Sequence, residues 1–172
     1  MNQTPPDLGI VSEVEESVFR VARLHPDLPT QDVILAILFI HAAKAVNDVV
    51  NRLLRPYDLT RVSFSTLTAM YGPAGLRVNP SILCEVTAET RTNMTRILDD
   101  LVARGLVSRT PNPEDRRRVD LSLTARGEAL VEDLFPAIWE TLRAMHGAFT
   151  PEEKKTLEGF LKRQLAAANA LR

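Results

Sequence analysis

A single cysteine, Cys84, stands among 172 residues, which excludes a disulfide framework and any multi-cysteine zinc site within one chain. Aromatics make up only 5% and glycines number seven. With so few of either and long stretches at helical period, the chain is expected to be mostly helical. The longest uninterrupted apolar run, Val33 to Ile40, has eight residues, well short of the roughly 18 needed to span a bilayer. Met1 to Ile10 has neither a basic stretch nor an apolar core, so no signal peptide is expected. The expectation is a cytoplasmic protein with no membrane partner. The three histidines (His25, His41, His146) are scattered and none begins a metal-ligand spacing. Neither a glycine-rich phosphate loop nor a serine elbow occurs, so the sequence predicts no metal, no cofactor and no enzyme. What remains is an ordinary soluble composition, 45% hydrophobic and 25% charged, long enough to bury a core without staples.

The net charge of −1 argues against a globally basic nucleic-acid binder, but the mean hides an asymmetry. Residues 1–30 carry five acids against two arginines, whereas residues 90–118 carry seven arginines against four acids. A local arginine block on a near-neutral chain suggests one face built for an anionic partner. A solvated, charge-mixed surface is the alternative.

Ser12 and Glu15 have capping-box spacing, and Val11, Val14, Val18 and Ala22 fall on one face of the short helix that follows, ending near His25-Pro26. Thr30 can cap a longer helix from about Gln31 to Arg55. Its first half is so apolar that it must be buried on most sides, which favours burial against a second copy of the chain. Ser63 to Tyr71 reads as a short helix closed by Gly72, and Leu76 to Val78 as a short strand. Asn79-Pro80 is a strong helix start, with Asn as N-cap and Pro in the first helical position. That helix runs to about Thr87. Thr90 then caps another, to Arg104, with Met94, Ile97, Leu98, Leu101 and Val102 as its apolar stripe and Gly105 as its terminator. Two helices joined by a tight turn form a helix-turn-helix layout.

Leu106 to Thr110 and Arg118 to Leu123 are strand-like, the second alternating at Val119, Leu121 and Leu123. Between them lies a polar segment with two prolines, making a hairpin with an arginine-rich tip. Thr124 opens a long helix to about His146, with Pro136 inside it expected to kink it. Thr150 and Glu153 form a second capping box, and the last helix carries Leu157, Phe160, Leu161 and Leu165.

The helix from Thr90 places Arg91, Thr92, Asn93, Thr95 and Arg96 in its first two turns. Arg can bond guanine bidentately, Asn can bond adenine, and Thr can touch a thymine methyl or a phosphate. Arg116, Arg117 and Arg118 sit on the hairpin, where a guanidinium can enter a narrow minor groove. Alternatively Arg116 or Arg117 pairs with Asp115 to hold the turn. Cys84, beside Leu83 and Val86, reads as a buried small hydrophobe, with a redox sensor as the alternative.

The run from Thr90 to Val107 (Thr-Arg-Thr-Asn-Met-Thr-Arg-Ile-Leu-Asp-Asp-Leu-Val-Ala-Arg-Gly-Leu-Val) is followed by Asp115-Arg-Arg-Arg-Val-Asp-Leu-Ser-Leu-Thr-Ala-Arg-Gly127. Together they resemble the MarR family of winged-helix transcriptional regulators, over about residues 31 to 165. Leu28-Pro29-x-Gln31 and the acidic N-terminal helix look more narrowly like the EmrR-type branch, whose members repress multidrug efflux pumps. The resemblance implies a mainly α fold with a small β-hairpin wing, that is, a winged helix-turn-helix plus a helical dimerisation region (α+β). Residues 1–28 would be a helical arm, 29–57 and 125–172 dimerisation helices, and 58–124 the winged helix-turn-helix. The implied partners are double-stranded DNA, a second copy in a homodimer and a small aromatic or phenolic effector. DNA contacts would fall on Asn79, Ser81, Arg91, Thr92, Asn93, Thr95, Arg96, Arg116, Arg117 and Arg118. The effector pocket would fall on His41, Lys44, Phe64 and Thr68, although Phe64 also suits plain core packing and His41 and Lys44 also suit a dimer interface.

One departure from the family pattern stands out. Relatives usually carry an apolar residue and then Gly at the helix-turn-helix turn, and here it reads Thr87-Ala88-Glu89. Gly supplies a positive φ freely, and Ala does so only with strain. A differently built turn, with a tilted recognition helix, is therefore an expectation to test. A helical protein-interaction module that kept the fold and lost specific DNA binding is the alternative function.

Overall fold

A computed structural model describes residues 9–73, 76–112, 115 and 119–171. The chain divides into two compact units at Arg52/Leu53.

The first unit holds α1 (Gly9–Leu24) and most of α2 (Thr30–Leu54). The expected stripe of α1 is present: Val18 is buried and Val11, Val14 and Ala22 are half-buried. The capping box is not. Ser12 lies inside the helix, because a Ser-x-x-Glu spacing is also an ordinary i, i+3 pair within a running helix. Thr30 does not cap α2 either. Its hydroxyl donates backward to the Leu28 carbonyl at 3.2 Å, and the Pro29 carbonyl accepts the first helical N–H, from Val33, at 3.0 Å. In α2 only Ile34, Val50 and Leu54 are buried, while Ile40 is 68% exposed. By length and composition alone Thr30–Tyr57, which holds an 18-residue stretch of mean hydropathy 1.9, would pass as a membrane-crossing helix. The count of uninterrupted apolar residues missed this, because it stops at His41 although apolar residues resume beyond it.

The second unit opens with a 3-10 turn, Arg55–Tyr57, and Asp58 in the left-handed region at φ 52°. Helix α3 (Arg61–Ala69) begins two residues before Ser63, because Thr60 is its N-cap. The Ser63 hydroxyl returns the bond, accepting from the Thr60 N–H at 2.7 Å. Met70, in ordinary helical conformation, ends α3, and Gly72 takes no positive φ. The segment expected as a strand at residues 76–78 makes one bridge, in which Val78 and Leu121 exchange two N–H···O bonds of 2.9 Å.

Helices α4 (Pro80–Thr87) and α5 (Arg91–Ala103) follow, then β1 (Val107–Pro111) and β2 (Val119–Leu123). The two strands form an antiparallel pair with Val107 opposite Leu123 and Pro111 opposite Val119. Gly105 takes φ 66° and turns the chain from α5 into β1. Behind α5, Met94, Leu98 and Leu101 are almost wholly buried with Leu67, Leu83, Leu106 and Leu121. Each such side chain contributes about 1.5–3 kcal/mol by leaving water. This core is what fixes the direction in which the opposite face of α5 points.

Helix α6 (Ala125–Met145) starts at a dense junction. Thr124 accepts from the Gly127 N–H at 3.1 Å and donates its hydroxyl to the Gly105 carbonyl at 2.7 Å. Its own N–H donates to the Leu106 carbonyl at 3.1 Å. Val131, Leu134 and Ile138 are buried and Leu130 and Met145 half-buried, while Leu142 is exposed. Helix α7 (Pro151–Asn169) begins with the expected capping box between Thr150 and Glu153. Every described residue of α7 is exposed, including Leu157, Phe160, Leu161 and Leu165.

Candidate nucleic-acid interface

The front of the helix pair is built by local chemistry. Asn79 caps α4, its Oδ1 accepting the Ile82 N–H at 3.1 Å, and Pro80 occupies the first helical position. Ala88 then takes φ 57° and ψ 36°, donating its N–H to the Cys84 and Glu85 carbonyls. The left-handed step that glycine usually supplies is thus made by alanine. Ala88 therefore carries the strain that a glycine would avoid. Thr90 caps α5, accepting the Asn93 N–H at 3.3 Å.

With Met94, Leu98 and Leu101 inward, α5 exposes Arg91, Thr92, Thr95 and Arg96, while Asn93 is half-buried. Thr95 donates its hydroxyl to the Arg91 carbonyl at 2.9 Å, which leaves its methyl and a lone pair for a partner. A groove of about 460 Å³ runs beside these residues, lined by Asn79, Ser81, Cys84, Arg91, Thr95 and Val119 among others. It unites four expected contact residues and places the half-buried Cys84 among them.

The arginine block divides in two. Arg109 pairs with Asp99 at 2.7 Å and Arg104 with Asp100 at 3.4 Å. Arg104 also donates to the carbonyls of Asp58 at 2.7 Å and Tyr57 at 2.8 Å. Both arginines serve the fold, and in doing so they neutralise the acids in the rear half of α5. Arg91 and Arg96 remain on the front. The expected wing contacts Arg116, Arg117 and Arg118 lie outside the described residues, as does their pairing with Asp115.

The hairpin stem has an anchor that sequence reading missed. Alternation put Asp120 on the wet face of β2, yet it is buried, since the Asn112 amide donates to both its oxygens, at 3.0 and 3.1 Å. Arg77 lies 3.6 Å from the same carboxylate, and Asn112 Oδ1 accepts the Asp115 N–H at 2.9 Å. The available signal was Asn112 before Pro113, since Asn at the head of a turn bonds backbone N–H groups further along.

The expected effector residues fall in different units. His41 is half-buried in α2, and Lys44, exposed, pairs with Asp48. In the second unit Phe64 is buried, its ring edge-on to Phe135 at 6.4 Å, and Thr68 donates to the Ser65 carbonyl at 3.1 Å. Phe135 extends this cluster, stacking on Trp139 at 5.0 Å and meeting Tyr71 edge-on at 5.2 Å. The Tyr71 hydroxyl donates to Glu132 at 2.8 Å, and that bond, with some burial and the nearby carboxylate charges, raises its pKa above 10.0. No described group of three or more His, Cys, Asp or Glu could hold a metal ion.

Residues 57–118 match the MarR family model. The chain is 34% identical over 128 residues to the multiple antibiotic resistance protein MarR of Escherichia coli K12, covering 73% of this chain and 88% of that protein. This chain belongs to the MarR family. It is also 29% identical over 148 residues to the transcriptional repressor MprA of Escherichia coli K12, covering 86% of this chain and 84% of the repressor. A cysteine-to-serine variant of E. coli MarR, solved in complex with operator DNA, superposes with a TM-score of 0.71 at 30% identity, covering 81% of this chain and 99% of that one. The MarR-family relatives are transcriptional regulators, not enzymes, and this chain shares their winged-helix fold: mainly α with a two-stranded hairpin.

Proposed function

We propose that this MarR-family chain is a cytoplasmic, dimeric, ligand-responsive repressor of a pseudo-palindromic operator. The observation that carries the DNA reading is the front of α5. Arg91, Thr92, Thr95 and Arg96 are exposed there, while Asp99 and Asp100 are set back and paired. The relative solved on operator DNA supports DNA binding; in this reading α5 would enter the major groove and Arg116, Arg117 and Arg118 the minor groove.

Dimerisation is supported by apolar surface left open in one chain. Phe160 and Leu165 of α7 are 56% and 64% exposed, beside a groove of about 240 Å³ lined by Phe149, Leu157 and Leu161. The open apolar face of α2 fits the same reading, with a second copy rather than a bilayer covering it. Residues 29–57 and 125–172 would then dimerise, 1–28 would form an arm, and 58–124 the DNA-binding part. A dimer reading two half-sites must hold its recognition helices about 34 Å apart. An aromatic or phenolic effector near His41, Lys44, Phe64 and Thr68 would favour another spacing. A ~100-fold preference for the released state is about 2.7 kcal/mol of coupling. The resemblance to the EmrR-type branch makes an efflux pump the target this reading expects.

The test is fluorescence anisotropy on DNA from upstream of the chain's own and neighbouring genes, at two salt concentrations, with and without salicylate. Tight, salt-sensitive binding to one fragment over a scrambled control is expected, because phosphate contacts release counterions. Arg117→Ala should weaken that binding, and an unchanged affinity would remove Arg117 from the interface. Absence of specific binding to any fragment would favour an interaction module with the same fold.

A further inference from the structure

Glu89 stands in the turn before α5. Its N–H donates to the Cys84 carbonyl at 3.0 Å, which holds the residue's backbone. Its Oε2 accepts from the Asn93 side-chain amide, Nδ2, at 2.7 Å. On the other side of that amide, Arg96 Nη2 donates to Asn93 Oδ1 at 3.3 Å. A carboxylate, an amide and a guanidinium thus stand in line along the front of α5.

We infer that Glu89 is a positioning residue that locks the Asn93 amide in one polarity and so makes it select adenine, an inference that rests on α5 entering a major groove. The argument is electrostatic. A free asparagine amide can rotate by half a turn and exchange its oxygen and nitrogen at little cost. Here that rotation aims Oδ1 at a carboxylate and Nδ2 at a guanidinium, so it is opposed from both ends. Glu89 takes one of the two amide hydrogens and Arg96 one of the two lone pairs. One donor and one acceptor are left to face outward.

Adenine offers a matching acceptor and donor in the major groove, N7 and N6–H₂, while guanine offers two acceptors, N7 and O6. The locked amide therefore fits adenine, and at guanine its oxygen opposes O6. A released amide can turn its NH₂ to guanine and tolerate it. The carboxylate has a second, separable effect. Standing at the N-terminus of α5, it is favoured by the helix dipole but repels phosphate whatever the base sequence.

Two substitutions separate lock from charge. Glu89→Gln removes the charge but still offers an oxygen to Asn93, because Arg96 continues to hold Asn93 Oδ1 and so turns Nδ2 toward residue 89; Glu89→Ala removes both charge and oxygen. The first readout needs no DNA: the Asn93 side-chain NH₂ signals in an ¹⁵N–¹H spectrum, assigned by their loss in Asn93→Ala. They should be slow to exchange with solvent in the parent and in Glu89→Gln, and fast in Glu89→Ala. Unchanged exchange in a folded Glu89→Ala would overturn the lock. The second readout is selection of bound duplexes from a randomised library, read by sequencing. Parent and Glu89→Gln should enrich adenine at the same position. Glu89→Ala should lose about tenfold of its preference over guanine there, or ~1.4 kcal/mol. Both variants should gain affinity for all duplexes at low salt. If the parent enriches a sequence and Glu89→Ala enriches it equally at every position, the role of Glu89 is refuted and the DNA reading stands. If the parent enriches nothing, the DNA reading fails and this inference fails with it.

Discussion

Replacing Ala88 by glycine should stabilise the protein, against the usual expectation for an added glycine. Ala88 sits at φ 57° and ψ 36°, a conformation that costs an L-residue about 1–2 kcal/mol. Glycine adopts it freely but loosens the unfolded chain, which returns ~0.4–1 kcal/mol. The Ala88 methyl is exposed, so no packing is lost. The net gain is about 0.5–1 kcal/mol. For a chain of 172 residues this raises Tm by roughly 1–4 °C. The assay is a pair of urea and thermal unfolding curves at one fixed protomer concentration, since association makes apparent stability concentration-dependent. The urea midpoint should rise with an unchanged slope. Ala88→Val supplies the opposite sign, because a β-branched residue is a worse fit to positive φ. If Ala88→Gly is no more stable than the parent, or Ala88→Val is no less stable, the turn does not carry the strain assigned to it.

Two further substitutions test particular contacts. In Gly127→Ala the new Cβ would lie 2.2 Å from the Leu106 carbonyl oxygen, a rigid neighbour. A loss of about 1–3 kcal/mol in urea unfolding is expected, and a change within ~0.5 kcal/mol would contradict the close approach. The Tyr71 phenol, donating to Glu132, should ionise above 10.0 in the folded protein. Its folded pKa is raised, so its contribution is present below the unfolded value and is lost as pH rises through the folded one. Phenolate absorbance of the parent minus that of Tyr71→Phe measures the titration, and Glu132→Gln should bring it back down. Titration at the ordinary value in the parent would contradict the hydrogen bond.

The parts of the molecule that sequence disclosed are those settled within about four residues. Asn79-Pro80, Thr90, Gly105, Thr124 and Thr150-Pro151 each mark a helix end by a bond the residue makes to its own neighbourhood. Ser12 and Thr30 look identical by that criterion and do something else, because a local pattern cannot tell a helix start from a helix interior. The interface was legible as a cluster of residue types but not as a set of free side chains. Arg104 and Arg109 counted toward a basic face until packing brought them to Tyr57, Asp58 and Asp99. Asp120 looked solvated until Asn112 and Arg77, distant in sequence or across a turn, closed over it. The Glu89–Asn93 bond has helical i, i+4 spacing, but Glu89 stands before the helix begins, where that spacing carries no expectation.

The junction around Thr124 bears on how such a chain is recognised at all. Gly105, Leu106, Thr124 and Gly127 are tied by the Thr124 hydroxyl and N–H and by a space too small for a methyl group. The Leu-Thr-x-x-Gly stretch is therefore dictated by how two strands meet a helix, and none of its letters needs to touch a base. A marker of that kind survives any change in what the front of α5 reads. It announces the architecture while staying silent about the target, so two proteins that share it can answer to unrelated stretches of a genome.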